Sequence, residues 1–193
     1  MPTKKIVLTV VLLTTFAAAV ATSGLAVLTS QATVPNNTFT TGNIVLTTSP
    51  TSAVVSFSGM MPGDTAGPNP LVVSNGASST LRYAISSVAT NADSKGLKDA
   101  LTLTIKTIDV TTPGVPCDNF DGTQLYSGDL DSTDGKLVGD AVQGSQAGDR
   151  TLTGNASETL CFKVSFPSNA SGPTSAATTA TFTFDAEQTS SNP

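Results

Sequence analysis

The stretch LTLTIKTID, residues 101–109, alternates apolar and polar side chains more cleanly than the rest of the chain. Leu101, Leu103 and Ile105 occupy one set of positions, and Thr and Lys occupy the other. Successive side chains of a β-strand point to opposite faces, so this period of two predicts a strand with one buried face. Thr suits the wet face, because β-branched side chains fit a pleated surface.

The same period recurs along the chain and predicts about eight strands with almost no helix. The other predicted strands are NIVLTT (43–48), AVVSFSG (53–59), PLVVSN (70–75), LRYAISSVA (81–89), TQLYSGDL (123–130), ETLCFKVSF (158–166) and TATFTFDAEQ (179–188). Their phenylalanines, Phe57 included, are predicted to lie in the core. One helical turn is predicted in NADSKGLKDA (91–100), with Asp93 or Ser94 as its cap.

This pattern predicts an all-β fold, a two-sheet antiparallel sandwich of the jelly-roll type, preceded by an N-terminal signal helix. An immunoglobulin-like sandwich is the alternative. It is less favoured because the chain has no Trp and therefore lacks the Cys…Trp…Cys spacing of that fold.

Residues 1–28 have the three parts of a signal peptide: two early lysines, a long uncharged apolar run, and small residues before a cleavage site. Cleavage is predicted near Ala26 and Val27, and a site after Ala21 fits the same rule. The alternative is an uncleaved membrane anchor, because residues 6–28 are long enough to span a bilayer. Cleavage predicts a secreted, extracellular protein whose only contact with a membrane is through the uncleaved leader.

Four regions follow from these patterns. They are the signal peptide (1–28), an extended N-terminal arm (29–37), a jelly-roll domain (38–188) and a frayed polar tail (189–193). The domain starts early because NNTFTTGNIVL, residues 36–46, already alternates like a strand.

Two cysteines, Cys117 and Cys161, remain after the leader, and an even number in an exported chain predicts a disulfide. Two free buried thiols are the alternative. In the alternation of its strand, Cys161 shares the outward face with Lys163 and Ser165. We therefore expect a surface bridge that fixes the loop 109–123 to the outside of a sheet.

Composition excludes several functions. The chain contains no His, so it carries neither a Ser-His-Asp arrangement nor an H-E-x-x-H zinc motif, and we predict no enzymatic activity and no cofactor. Its formal net charge of −5, with few Lys and Arg, argues against a nucleic-acid partner.

The acidic segment DLDSTDG, residues 129–135, is the one weak candidate for a metal site. Asp129, Asp131 and Asp134 offer carboxylate oxygens of the kind calcium binds. The segment resembles the start of an EF-hand loop, but it is one residue too long before its glycine, and Asp140 stands in place of the closing Glu. A polar turn-forming loop is the alternative.

Five features in order resemble the TasA/camelysin family of secreted bacterial proteins. They are the apolar leader, NNTFTTGNIVL (36–46), the turn GMMPGDTA (59–66), LVVSNGASSTLRYAISS (71–87) and the closing strand ATFTFDAEQT (180–189). Members of that family are jelly rolls processed by a SipW-type signal peptidase. The resemblance covers nearly the whole chain and is weakest over 109–157.

The resemblance implies a structural subunit of extracellular fibres, in the biofilm matrix or at the cell surface. Such fibres form by donor-strand exchange, in which the N-terminal segment of one subunit completes a sheet of the next. The partner implied is therefore another copy of the chain. The assembly arm would start at Thr29, with Val34 and Phe39 as apolar contacts.

Two other functions remain open from the sequence. Camelysin-like members have been labelled metalloproteases, but a secreted protease of that type is disfavoured here by the absence of His. A monomeric adhesion or carbohydrate-binding module is the third possibility.

Overall fold

The computed structural model describes residues 43–170 and 173–192. Its strands and its single short helix are β1 (Leu46–Ser49), β2 (Thr65–Asn75), β3 (Leu81–Ala89), α1 (Leu97–Ala100), β4 (Thr102–Thr107), β5 (Gln124–Gly128), β6 (Lys136–Val138), β7 (Arg150–Leu152), β8 (Ser157–Ser165) and β9 (Ala180–Gln188). The all-β prediction is thus confirmed.

The strands form two antiparallel sheets. The first has the order β1-β2-β8-β4-β5. In the second, β3 is central: β9 pairs with it over residues 81–89, while β7 pairs at 81–83 and β6 at 85–86. A strand has only two edges, so β6 and β7 lie end to end along one edge of β3, and β9 lies along the other.

The core lies between these sheets and is built from the predicted alternating faces. Leu103 and Ile105 of β4 are fully buried, as the pattern of 101–109 predicts. Phe162 of β8 is paired with Ile105 and meets Phe182 of β9 across the core, with 5.4 Å between ring centroids. Tyr83 of β3 is buried beside Phe184 of β9.

The strand predicted over residues 53–59 is wrong. The segment forms no strand, Val54 alone is fully buried, and Phe57 is 53% exposed instead of lying in the core. β1 ends at Ser49 because Pro50 has no backbone N–H with which to continue a ladder. The chain leaves the sheet there and re-enters it only at Thr65.

The helical turn within 91–100 is confirmed, but its predicted cap is wrong. The turn begins after Gly96, whose φ of 70° is left-handed, and no side chain caps it. The carboxylate of Asp93 instead accepts the backbone N–H groups of Lys95 and Ala177. These bonds lower the pKa of Asp93, with the one from Ala177 contributing most.

The disulfide between Cys117 and Cys161 is confirmed, with 5.4 Å between the Cα atoms. Cys161 pairs with Lys106 of β4, on the face opposite to the core residue Phe162, so the bridge lies on the outer face as predicted. It is not exposed, however, because Cys161 is 0% and Cys117 only 2% accessible. The expectation of a surface bridge is corrected to a bridge buried under its own loop.

A small group of contacts between the loop 109–123 and the outer face of the first sheet accounts for the burial of the disulfide. The loop places Phe120 over the outer face of the first sheet, where the Nζ atoms of Lys106 and Lys163 lie 4.7 and 4.3 Å from its ring centroid. The buried carboxylate of Asp109 accepts the N–H groups of Asn119 and Asp121 and so fixes the turn of the loop. The alternation along β8 predicts on which face of the sheet Cys161 lies, but it does not predict that a loop covers that face.

Some predictions concern residues outside the described ranges: the signal peptide (1–28), cleavage near Ala26 and Val27, the arm (29–37), Thr29, Val34 and Phe39. Within the described ranges, no helix combines the length and apolar character needed to cross a bilayer. Residues 189–192, which we expected to fray, form a turn in which Thr189 donates its N–H to Thr80 and Asn192 accepts from Arg82.

Candidate assembly edge

The two sheets differ in width, so part of the first sheet has no strand of the second sheet opposite it among the described residues. The first sheet has five strands side by side, whereas the second has three positions, β6 with β7, then β3, then β9. Strands are spaced about 4.8 Å apart, so the second sheet is narrower by about 10 Å. Because β5 contacts β6, the unmatched strands are β1 and β2, on the same side as the outer edge of β9.

The outer edge of β9 carries a regular row of backbone groups. Thr90 donates its N–H to Thr179, and Thr189 donates to Thr80, which fixes the hydrogen-bonded pairs between β3 and β9. In an antiparallel ladder these pairs alternate, so the odd-numbered residues of β9 bond to β3. The even-numbered residues, Ala180, Phe182, Phe184, Ala186 and Gln188, therefore direct their N–H and C=O groups away from β3.

These same even-numbered residues face the core. Phe182, Phe184 and Ala186 pack against it but are only half-buried, while Thr181, Thr183 and Asp185 between them are exposed. A strand added beside β9 would cover the exposed flanks of both rings and satisfy the outward backbone groups. The edge thus offers hydrogen bonds and apolar area together, which is the basis of β-strand addition.

β9 carries two charged side chains, Asp185 and Glu187, but otherwise lacks the features by which proteins usually block an edge. Residues 180–188 contain no Pro and no Lys, and the pairing with β3 continues over all nine residues without a bulge. β1 at the edge of the other sheet has 4 residues and runs into Pro50. β5 has 5 residues and an irregular register with β4. Among the strands described, β9 is the longest regular edge.

The calcium candidates do not converge. Asp131 forms an ion pair with Lys98 at 3.0 Å, and the carboxylate of Asp134 accepts from Ser132 and from the N–H of Lys136. Asp129 contributes a backbone carbonyl, to which Tyr126 donates its hydroxyl. Among residues 43–170 and 173–192, no three acidic or cysteine side chains are grouped so that they could hold a metal ion.

A polar cavity lies on the outer face of the second sheet. The alternation of β3 puts Arg82 on the outer face of the sheet, yet Arg82 is buried because the loop after β6 folds over it. Arg82 pairs with Glu187 and lies 4.0 Å from Asp149, and Glu187 also accepts the N–H of Gly144. These groups bond to one another and hold the loop in place. The polar side chains that line the cavity therefore have a structural role.

A second polar group closes one end of the core. The hydroxyl of Tyr83 donates to Glu158 at 2.6 Å, and the guanidinium of Arg150 pairs with the same carboxylate at 2.6 Å. Burial, and then the neighbouring Glu158, raise the pKa of Tyr83 far above its usual value. The hydrogen bond to Glu158 raises the pKa of Arg150. Tyr83 therefore stays neutral and structural at all physiological pH values.

The sequence did not single out β9 as an edge. Its alternation predicts a strand with one buried face, but the position of a strand within a sheet depends on contacts distant in the chain. The sequence offers only an indirect indication of the open edge, which is that residues 180–188 lack the Lys and Pro that commonly protect edges. No protein-family model matches the chain, and no curated protein sequence is significantly similar to it.

Proposed function

We propose that the chain is a secreted structural subunit that assembles into extracellular fibres by donating its N-terminal arm, residues 29–37, to the β9 edge of another copy. In this proposal residues 1–28 form the helical signal peptide, which a SipW-type peptidase removes, and the sandwich is a jelly roll. The resemblance to the TasA/camelysin family supports each of these points.

The observation that carries the proposal is the long outer edge of β9, which pairs with no strand among the described residues and lies on the same side as the unmatched strands β1 and β2. The buried disulfide adds support, because such bridges are typical of proteins that fold in oxidising, extracytoplasmic compartments. The arm has the same length as β9 and contains no charged side chain, so its insertion would bury no charged side chain and the α-amino group of Thr29 would lie at the end of the added strand. Ala32 and Val34 fall on one face of an extended arm and would meet the core.

The experiment compares three forms of the processed protein by electron microscopy and size-exclusion chromatography. Protein that starts at Thr29 should form fibres, whereas protein lacking residues 29–37 should remain a folded monomer. A third form, in which Gly and Ser replace residues 29–37 at equal length, should also stay monomeric, because it lacks the apolar contacts. Fibres from either altered form would contradict the proposal.

The two alternatives make different predictions. A camelysin-type protease should cleave casein and lose that activity with a chelator. A monomeric adhesion or carbohydrate-binding module should bind a glycan array without polymerising. We place both below fibre assembly, since neither is favoured by a specific contact among the described residues.

A further inference from the structure

Residues 53–59, AVVSFSG, have the sequence of a strand and yet form none in the free subunit. Ala53, Val55 and Phe57 alternate with smaller or polar residues, and β-branched and aromatic side chains favour strands. Among the residues described, no backbone group accepts a hydrogen bond from the N–H groups of 53–59. Disagreement between local sequence preference and structure is expected at functional sites.

This segment lies on the open side of the sandwich. The backbone carbonyl of Val54 accepts a hydrogen bond of 2.8 Å from the side chain of Asn69. Asn69 pairs with the core residue Phe162, so it lies on the inner face of β2, which has no strand of the second sheet opposite it. Val54 is buried in the core and Val55 packs against it, whereas Phe57 and Met61 are 53% and 69% exposed.

The width of the opening gives the segment a place to pair. The second sheet is short of the first by two strand positions. Val54 already lies over the inner face of β2, where Leu71 and Val73 are only 4% and 0% exposed, so a donor arm beside β9 would shift residues 53–59 outward to the position over β1. The donor would itself have an outer edge, with a new row of unpaired backbone groups facing β1. Neither residues 53–59 nor the arm 29–37 contains a charged side chain, so the only charge brought to the pairing is the α-amino group of Thr29, at the end of the arm.

We propose that residues 53–59 become a strand when the arm of a second copy binds, and that they pair with the outer edge of that arm. This inference rests on the proposed function. It specifies that residues 53–59 of the accepting subunit bind the second edge of the donor arm. The second sheet of an assembled subunit then has the order β9, donor arm, 53–59. In that strand Val55 and Phe57 face the core, so Phe57 turns away from solvent while Val54 turns to the outer face of the completed sheet.

Hydrogen exchange tests this inference on the processed protein, before and after fibres form. The amides of 53–59 should exchange quickly in the free subunit and be protected at least about tenfold in fibres, because pairing satisfies them. Equally fast exchange of 53–59 in both states would overturn the inference. It would show that the segment is displaced or left unpaired, while the fibres themselves would still support donation of the arm.

A matched pair of variants adds a second readout. Phe57→Ser should leave the thermal stability of the monomer nearly unchanged but raise the critical concentration for fibre formation about tenfold, since burial of a Phe side chain is lost on assembly. Val115→Ser is the control, because Val115 is 57% exposed on the loop over the first sheet, away from the opening. Equal critical concentrations for Phe57→Ser and Val115→Ser would overturn the inference. Absence of fibres from the unaltered protein would instead overturn the proposed function.

Discussion

Cys117 and Cys161 show how one covalent bond supports a loop that has little apolar area of its own. The bridge spans a sequence separation of 44 and holds the loop 109–123 against the outer face of β4 and β8. Phe120, between two lysines, is the main apolar contact of that loop. The loop therefore depends on the disulfide more than the core does.

Replacing both cysteines by Ala should reduce the free energy of unfolding by about 3–4 kcal/mol, because the unfolded chain gains the entropy of a long open loop. Urea titration of the monomer measures this change. Limited proteolysis should then cut first within 109–123. A loss below about 1 kcal/mol with an uncut loop would show that the noncovalent contacts suffice.

Tyr83 gives the structure a defined sensitivity to alkali. Its pKa is 10.0 in an exposed reference state and is raised in the fold, so the folded state keeps the hydroxyl proton when the unfolded state loses it. The stabilisation is complete below pH 10 and is lost as pH rises above it. Each unit above pH 10 should cost about 1.4 kcal/mol from this group.

Urea titrations of wild type and of Tyr83→Phe at pH 8 and pH 11 isolate this effect. Tyr83→Phe should be less stable at pH 8, because a hydrogen bond to Glu158 is lost, and should show a smaller further loss at pH 11. Tyr126→Phe is the control: burial also raises the pKa of Tyr126, but its hydroxyl donates to the backbone carbonyl of Asp129 and not to a carboxylate, so this variant should keep most of the wild-type drop. Parallel losses in wild type and Tyr83→Phe would contradict the account.

Strand β9 packs against the core with one face and is also an edge strand of the second sheet. Its odd-numbered residues bond to β3, while its even-numbered residues face the core with their side chains and the open edge with their backbone groups. A substitution that removes the backbone N–H of an even-numbered residue should therefore impair assembly without disturbing the fold. Ala186 and Ala180 allow such a change with little loss of side-chain packing.

Ala186→Pro removes one outward N–H of β9 and leaves the ladder to β3 intact, since proline is tolerated where the N–H of an edge strand is unpaired. Circular dichroism and melting temperature should remain close to wild type, while fibre yield falls sharply. Ala186→Ser keeps the N–H and should assemble normally. Ala180→Pro provides a second test at the start of the strand. Normal fibres from both proline variants would show that β9 is not the acceptor.

The elements also show what the sequence could predict. A strict period of two located β4, β8 and β9 with the correct core-facing residues, because each of those strands has one apolar face in the core. It failed at 53–59, where Pro50 ends β1 and no partner strand is present among the described residues. It also missed the burial of Arg82 and Cys161, because loops distant in the chain cover them.

For the whole molecule, the essential property is a sandwich with one sheet wider than the other. Sheet width depends on how strands far apart in the chain are ordered, so alternation alone does not predict the opening or the acceptor edge. The proposed donor arm would have a defined partner in the outer edge of β9, which pairs with no strand among the described residues. The assembled subunit would gain the strand that the second sheet lacks.

The most direct test is a cryo-electron microscopy reconstruction of material grown from protein that starts at Thr29. We expect fibres in which residues 29–37 of one subunit lie beside β9 of the next, hydrogen-bonded to the backbone of Phe182, Phe184 and Ala186. Fibres whose arms lie elsewhere, with the β9 edge unpaired, would contradict the central claim. So would processed protein that remains monomeric at high concentration.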